Sequence, residues 1–164
     1  MILDLTDGEA ALAAYENYEE TYFASVRHIA LSMGMDYTED DFKEKLRDGL
    51  RFMIANEGVY LVHCKEGKDR TGFVVALLEF LLGATYEEAE ADYMLTYRNY
   101  YGVTAGEERY DIIVSSNFEK ILKRSFGVDE VKSADLAELA AGYIGSSGLT
   151  DEEISALKAN LSAG

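Results

Sequence analysis

A run of four apolar or aromatic residues, Val59-Tyr60-Leu61-Val62, leads into His63-Cys64-Lys65-Glu66-Gly67-Lys68-Asp69-Arg70-Thr71-Gly72, and a longer apolar run, Phe73 to Leu82, follows at once. The first run is short enough for a strand and the second long enough for a helix. Strand, tight loop and helix in that order aim the loop amides, the helix N-terminus and Arg70 at one point, which is the geometry an anion needs. The only cysteine of the chain lies at that point. This order also constrains the fold class to α/β, because a strand followed directly by a helix is the unit of a sheet covered by helices.

The rest of the chain reads as helices. Met1 to Leu5 has the pattern of a strand end, and Thr6 with Glu9 makes a capping box. Apolar residues at Leu12, Tyr15, Tyr18, Tyr22, Val26, Ile29 and Met33 recur at three and four, which predicts one long amphipathic helix closed by Gly34. Thr38 with Asp41 begins the next helix, whose inner face carries Phe42, Leu46, Leu50, Met53 and Ile54 and which stops at Gly58. The acidic run Glu39-Asp40-Asp41 then complements that helix's dipole rather than binding a metal. Beyond the central helix, Gly83 is a stop. Thr85 with Glu88 caps a helix bearing Tyr86, Ala89, Tyr93, Tyr97 and Tyr100, whose spacing points to core or subunit contact rather than a lid. Gly102 and Gly106 break it, and Tyr110, Val114, Phe118 and Ile121 mark one more helix before Gly127. An Ala-rich helix over Ser133 to Ile144, a turn at Gly145 to Gly148 and a helix capped by Thr150 and Glu153, with Ile154, Leu157 and Leu161 on its face, complete the chain. One clear strand and one weaker one are few for a buried strand, so further sheet strands are expected upstream.

Composition narrows the partners. The 164 residues include 15 basic and 31 acidic side chains, a net charge of −16. Nucleic acid and anionic membranes are disfavoured, and a phosphate site must succeed through a few converging donors. A single cysteine cannot form an internal disulfide, no signal peptide is visible at Met1 to Leu5, and no segment has transmembrane length without charge. Together these point to a cytoplasmic protein with no membrane span. His28 is the only other histidine, so His63 and Cys64 have no ligand set for zinc, and neither metal nor cofactor is expected.

The loop supplies the chemistry. A thiol just before a helix N-terminus and near Arg and Lys is expected to lose its proton readily, which makes Cys64 a nucleophile. Arg70 can return across the loop to grip phosphate oxygens with two donors, as a Lys could not. Gly67 allows a tight turn that points the loop amides inward. Thr71 can donate to the thiolate or cap the turn. Lys65 and Lys68 add positive charge at the rim, and Glu66 opposes a polyphosphorylated group.

The string His-Cys-x-x-Gly-x-x-Arg-Thr-Gly resembles the signature of the cysteine-dependent protein-tyrosine and dual-specificity phosphatases. Gly67 to Gly72 is most similar to the bacterial tyrosine phosphatases that also accept phosphoinositides. The likeness runs on through Asp92-Tyr93-Met94-Leu95 and Gly148 to Ile154. It implies an α/β, helix-rich phosphatase fold with a small central sheet, and a metal-independent phosphomonoesterase working through a phosphocysteine. Cys64 would be the nucleophile, Arg70 the phosphate clamp, and His63 and Gly72 loop supports. Tyrosine phosphatases usually carry their general acid on a Trp-Pro-Asp loop, and this chain has neither Trp nor Pro. Asp69 resembles the in-loop acid of related bacterial and lipid phosphatases; Asp7 or Asp4 is the alternative. Lys65, Glu66, Gly67, Lys68 and Thr71 would bind phosphate or substrate, a phosphorylated protein or a phosphoinositide. The family normally carries more sequence before the loop, including an Arg-Asp-Leu-Gly-Gly type motif, so residues 1–164 are expected to form one phosphatase domain lacking N-terminal strands. A second reading follows: a phosphate- or partner-binding module that keeps the loop without activity, its sheet completed by another copy or another chain.

Overall fold

Ile2–Asp4 forms β1, the middle strand of a three-stranded parallel sheet, with β2 (His28–Ala30) on one side and β3 (Leu61–His63) on the other. Ile2 pairs with His28 and Leu61, and Asp4 with Ala30 and His63. All three residues of β1 are buried, as a central parallel strand requires. The structure is a computed structural model, and it describes residues 1–162. They form two compact units, one made of Met1–Glu66 and the chain from Ile144 onward, the other of Gly67–Tyr143.

In the first unit the long helix expected from Leu12 to Met33 does not form. Its place is taken by α1 (Glu9–Ala13), a 3₁₀ turn at Tyr18–Glu20, α2 (Tyr22–Ser25) and β2. Asn17 adopts the left-handed conformation, and the Thr21 hydroxyl accepts from the Ala24 N–H to start a new turn. The decisive force is the sheet. The Ile2 N–H donates to Arg27 and the Leu31 N–H to Asp4, so this segment satisfies an edge of β1 that would otherwise be orphaned. The Thr6–Glu9 box is also absent. Instead Asp4 Oδ1 accepts from the N–H groups of Thr6 (2.8 Å) and Asp7 (3.1 Å), turning the chain as it leaves β1.

The next helix, α3 (Asp40–Ala55), carries Asp40 and Asp41 in its first turn and buries Phe42, Leu46, Leu50 and Met53 as expected. Thr38 does not cap it; its hydroxyl donates to Asp36. Gly49 brings α3 close to the sheet, since a methyl group there would lie 2.8 Å from Leu31 Cδ1. The helix ends at Ala55, ahead of Gly58, because the Asn56 amide turns back to the Phe52 carbonyl. Strand β3 starts two residues later than expected: Val59 is 86% exposed, and the Tyr60 hydroxyl is drawn to the Met53 and Asn56 carbonyls. The last helix, here numbered in chain order as α9 (Asp151–Ser162), has the expected box, with Thr150 and Glu153 each accepting the other's backbone N–H. It docks on α3 through the Arg51–Glu153 pair (2.7 Å) and through Asn160, whose amide donates to the Met53 and Ile54 carbonyls at the end of α3.

The second unit begins with α4 (Asp69–Leu81), four residues ahead of the expected start at Phe73. Phe73, Val74, Ala76, Leu77, Phe80 and Leu81 are all at least 98% buried, so α4 is enclosed on most faces. Gly83 takes a positive φ, and α5 (Tyr86–Tyr101) follows with the full Thr85–Glu88 capping box and a left-handed Gly102 at its end. Tyr86, Ala89, Tyr93 and Tyr97 are buried, whereas Tyr100 is exposed. The expected helix over Tyr110 to Ile121 is α6 (Glu108–Ile113), a π-helical stretch at Val114–Glu119 and α7 (Lys120–Phe126). So short a run of three-and-four spacing serves α and π turns alike. Phe118 packs against Tyr86 and Tyr93, and burying one such ring contributes about 2 kcal/mol. The Ala-rich helix is α8 (Leu136–Ser146); it absorbs Gly145 and Ser146 and leaves the turn to Ser147 and Gly148.

Candidate active site

Cys64 directly follows β3, at the carboxyl end of the parallel sheet and beside the central strand. The chain leaves β1 toward β2 on one side and β3 lies on the other, so this end is a topological switch point, where open α/β sheets bind ligands. The Leu5 N–H donates to the His63 carbonyl (2.9 Å), fixing the backbone just ahead of the cysteine. His63 meets the edge of the Phe23 ring, 6.0 Å between centroids. Phe23 also packs on His28 at 4.6 Å. His28 Nδ1 lies 2.9 Å from the Val26 carbonyl, which can only accept, so Nδ1 donates to it, while Nε2 and the Tyr18 hydroxyl are hydrogen-bonded at 2.9 Å. The His63 end of β3 is thus braced by the segment that replaced the expected long helix.

Cys64 is half-buried, and Lys65 and Glu66 are exposed. Asp4 is 2% exposed and its carboxylate serves the turn after β1, whereas Asp7 is half-buried in that turn. The Thr6 hydroxyl is buried with no hydrogen-bond partner.

The second unit holds the other end of the loop. Gly67 has φ +65°, a conformation that costs any side chain with a Cβ, and nothing stands within 4 Å of where one would go. The requirement there is conformational, not steric. Asp69 opens α4, so Arg70 and Thr71 fall in its first turn, where the backbone N–H groups have no partner four residues back. The Gly72 N–H closes on the Lys68 carbonyl at 2.9 Å. Arg70 is half-buried. Thr71 does not cap the helix through its side chain, and its buried hydroxyl has no hydrogen-bond partner.

Helix α5 supports this end of the loop through residues that the sequence reading did not single out for it. Thr96 Oγ1 donates to the Gly67 carbonyl (3.1 Å). The Tyr93 ring packs against Gly72. Lys68 Nζ lies over the rings of Tyr97 (5.6 Å) and Tyr101 (6.0 Å) and 3.7 Å from Asp69 Oδ2, while the Arg109 guanidinium covers Tyr101 at 5.9 Å. The aromatic spacing on α5 is the available signal, and by itself it points to core or subunit contact. Between α4 and α5 lies a cavity of about 150 Å³ whose wall includes Gly67, Thr71, Gly72, Asp92, Thr96 and Asn99. Nearby, the acid of Glu79 is pushed up to about 7, first by burial and then by the carboxylates of Asp92 and Glu88.

Among the described residues no three His, Cys, Asp or Glu side chains gather as a metal-binding group, and no helix is long and apolar enough to cross a membrane. Among curated proteins, no relative matches the chain. The sequence profile of the tyrosine phosphatase family matches residues 7–163, which takes in every strand and helix except β1 and the whole His63–Gly72 loop. A helix-rich chain with a small parallel sheet accords with an α/β phosphatase fold, and the match supports a phosphatase activity on phosphorylated substrates. With nearly its full length matched, the chain belongs to the tyrosine phosphatase family.

Proposed function

We propose that this chain is a metal-independent phosphomonoesterase of the protein-tyrosine or dual-specificity kind. Its loop is most similar to the bacterial branch, and its substrates are phosphotyrosine or other phosphoproteins, with phosphoinositides as the other class to test. The observation that carries this reading is the course of the loop. Cys64 follows the last residue of β3, Gly67 turns left-handed, and Arg70 rises in the first turn of α4. In the proposed reaction the Cys64 thiolate attacks phosphorus and forms an S–P bond as the bond to the leaving oxygen breaks. Asp69 gives that oxygen its proton. Arg70 and the loop amides hold the non-bridging oxygens as their charge develops. Water, losing a proton to the Asp69 carboxylate, then displaces the thiolate and releases inorganic phosphate. Thr71, at the start of α4, belongs to the stretch that would bind phosphate or substrate. Lys65, Glu66, Gly67 and Lys68 line the approach, and His63 and Gly72 support the loop.

A second reading is favoured by one observation, the open outer edge of β3, where Leu61 is 57% exposed. A strand from another copy or another chain could complete the sheet there, with the loop binding phosphate without turnover. Hydrolysis of an aryl phosphate separates the two. The enzyme reading expects turnover that Cys64→Ser abolishes while vanadate binding persists; vanadate binding by the unmodified chain without any turnover establishes the module instead. Full activity in Cys64→Ser would overturn the mechanism.

A further inference from the structure

We propose that the cavity holding Asp92 and Asn99 receives a basic side chain close to the phosphorylated residue of a polypeptide, which makes cationic phosphopeptides the substrate class of this site. The proposal rests on the phosphatase reading of the Cys64 loop. Three residues of the cavity wall, Gly67, Thr71 and Gly72, belong to the stretch that carries Arg70, so a group placed in it lies close to the phosphate clamp. Its polar lining residues are Asp92, Asn99, Thr96, Thr71 and Tyr93, with no Lys or Arg in the wall. Thr96 uses its proton on the Gly67 carbonyl, so toward a guest its oxygen can act only as an acceptor. The buried Thr71 hydroxyl has no partner within the protein.

The one charged residue in the wall of this cavity is Asp92. Among the described residues Asp92 forms no ion pair, and its carboxylate and that of Glu88 both act on Glu79, itself acidic. Burial first, and then the Asp92 and Glu88 carboxylates, hinder ionisation of Glu79. A Lys or Arg of the substrate would relieve this repulsion, whereas each further phosphate of an inositol head group would meet it, on a chain whose net charge is already −16. Lys68, the rim cation nearest in sequence, is engaged by Asp69 and by two tyrosine faces.

The test uses two phosphotyrosine peptides that differ only in whether Arg or Glu flanks the phosphoresidue. The ratio of their kcat/KM values is expected to favour Arg by about three- to tenfold at low ionic strength, the scale of one solvent-exposed charge pair gained against one repelled. Asp92→Asn should bring the ratio toward one. Glu152→Gln, which removes an exposed charge on α9, should leave it unchanged. A ratio of one in the unmodified enzyme, or a ratio untouched by Asp92→Asn, overturns the proposal. Affinities of the same peptides for Cys64→Ser, read by fluorescence anisotropy, test the preference without turnover, and equal affinities overturn it. Absence of turnover with every substrate, aryl phosphate included, overturns the phosphatase reading and leaves the anisotropy result to decide this one.

Discussion

A methyl group at Gly72 would lie 2.5 Å from Cδ2 of Tyr93, so the last glycine of the loop is needed for contact with a ring on α5. Its backbone is ordinary helix, where Ala would normally be preferred to Gly by up to about 1 kcal/mol. The clash reverses that preference. Gly72→Ala is expected to destabilise the protein by about 1–3 kcal/mol in urea unfolding and to reduce kcat/KM, because α4 must shift with Arg70 in its first turn. Gly142→Ala provides the contrast, since nothing stands within 4 Å of a methyl there and α8 should gain stability. Equal effects at the two positions would contradict the contact.

Asp69 stands at the first position of α4 with its carboxylate toward Lys68, and the proposed mechanism gives it the leaving-group proton. Asp69→Asn should therefore slow alkyl phosphates by about 10²- to 10⁴-fold and aryl phosphates with acidic leaving groups far less. A series of aryl phosphates of graded leaving-group pKa measures this. If both classes slow equally, Asp69 is not the acid, and the same series run on Asp7→Asn tests the half-buried alternative.

Glu79 makes stability depend on pH in an unusual direction. Burial, then Asp92 and Glu88, raise its acid from 4.5 to about 7. Between those values the folded chain holds a proton that the unfolded chain releases, so this group's contribution to stability is complete at low pH and lost as pH rises through the window. Glu79→Gln should leave the protein more stable than its parent by about 1 kcal/mol near neutral pH and above, the full shift being discounted for screening at a half-exposed group. Below the unfolded-state value of the acid the two proteins should converge. Urea titrations on both sides of the window check it, and a difference independent of pH would rule out titration of Glu79 as its cause.

The local features read correctly from sequence share one property: partners three or four residues apart. The Thr85–Glu88 and Thr150–Glu153 boxes, the left-handed glycines at 67, 83 and 102, and the helices α5 and α9 depend on residue types within a single turn. The strand-loop-helix order around Cys64 belongs with them. Strand β2 does not. His28–Ala30 carries a helical spacing of apolar residues and becomes a strand because β1 presents unsatisfied N–H and C=O groups to it. The Thr6–Glu9 box failed for a related reason: Asp4, buried at the end of β1, takes the backbone donors at Thr6 and Asp7.

The same division runs through the candidate site. By itself the sequence determined the chemistry on offer, a thiol, a guanidinium and a carboxyl on a glycine-turned loop ahead of a helix, because identity and spacing along seven residues suffice for that. Only the tertiary structure decided what holds that loop: Phe23 on His63, Thr96 on Gly67, Tyr93 on Gly72, and Tyr97 and Tyr101 under Lys68. These contacts join residues far apart in the chain. They exist only after the helices and strands have packed, and no periodicity within one element can encode which residue of another will lie against it.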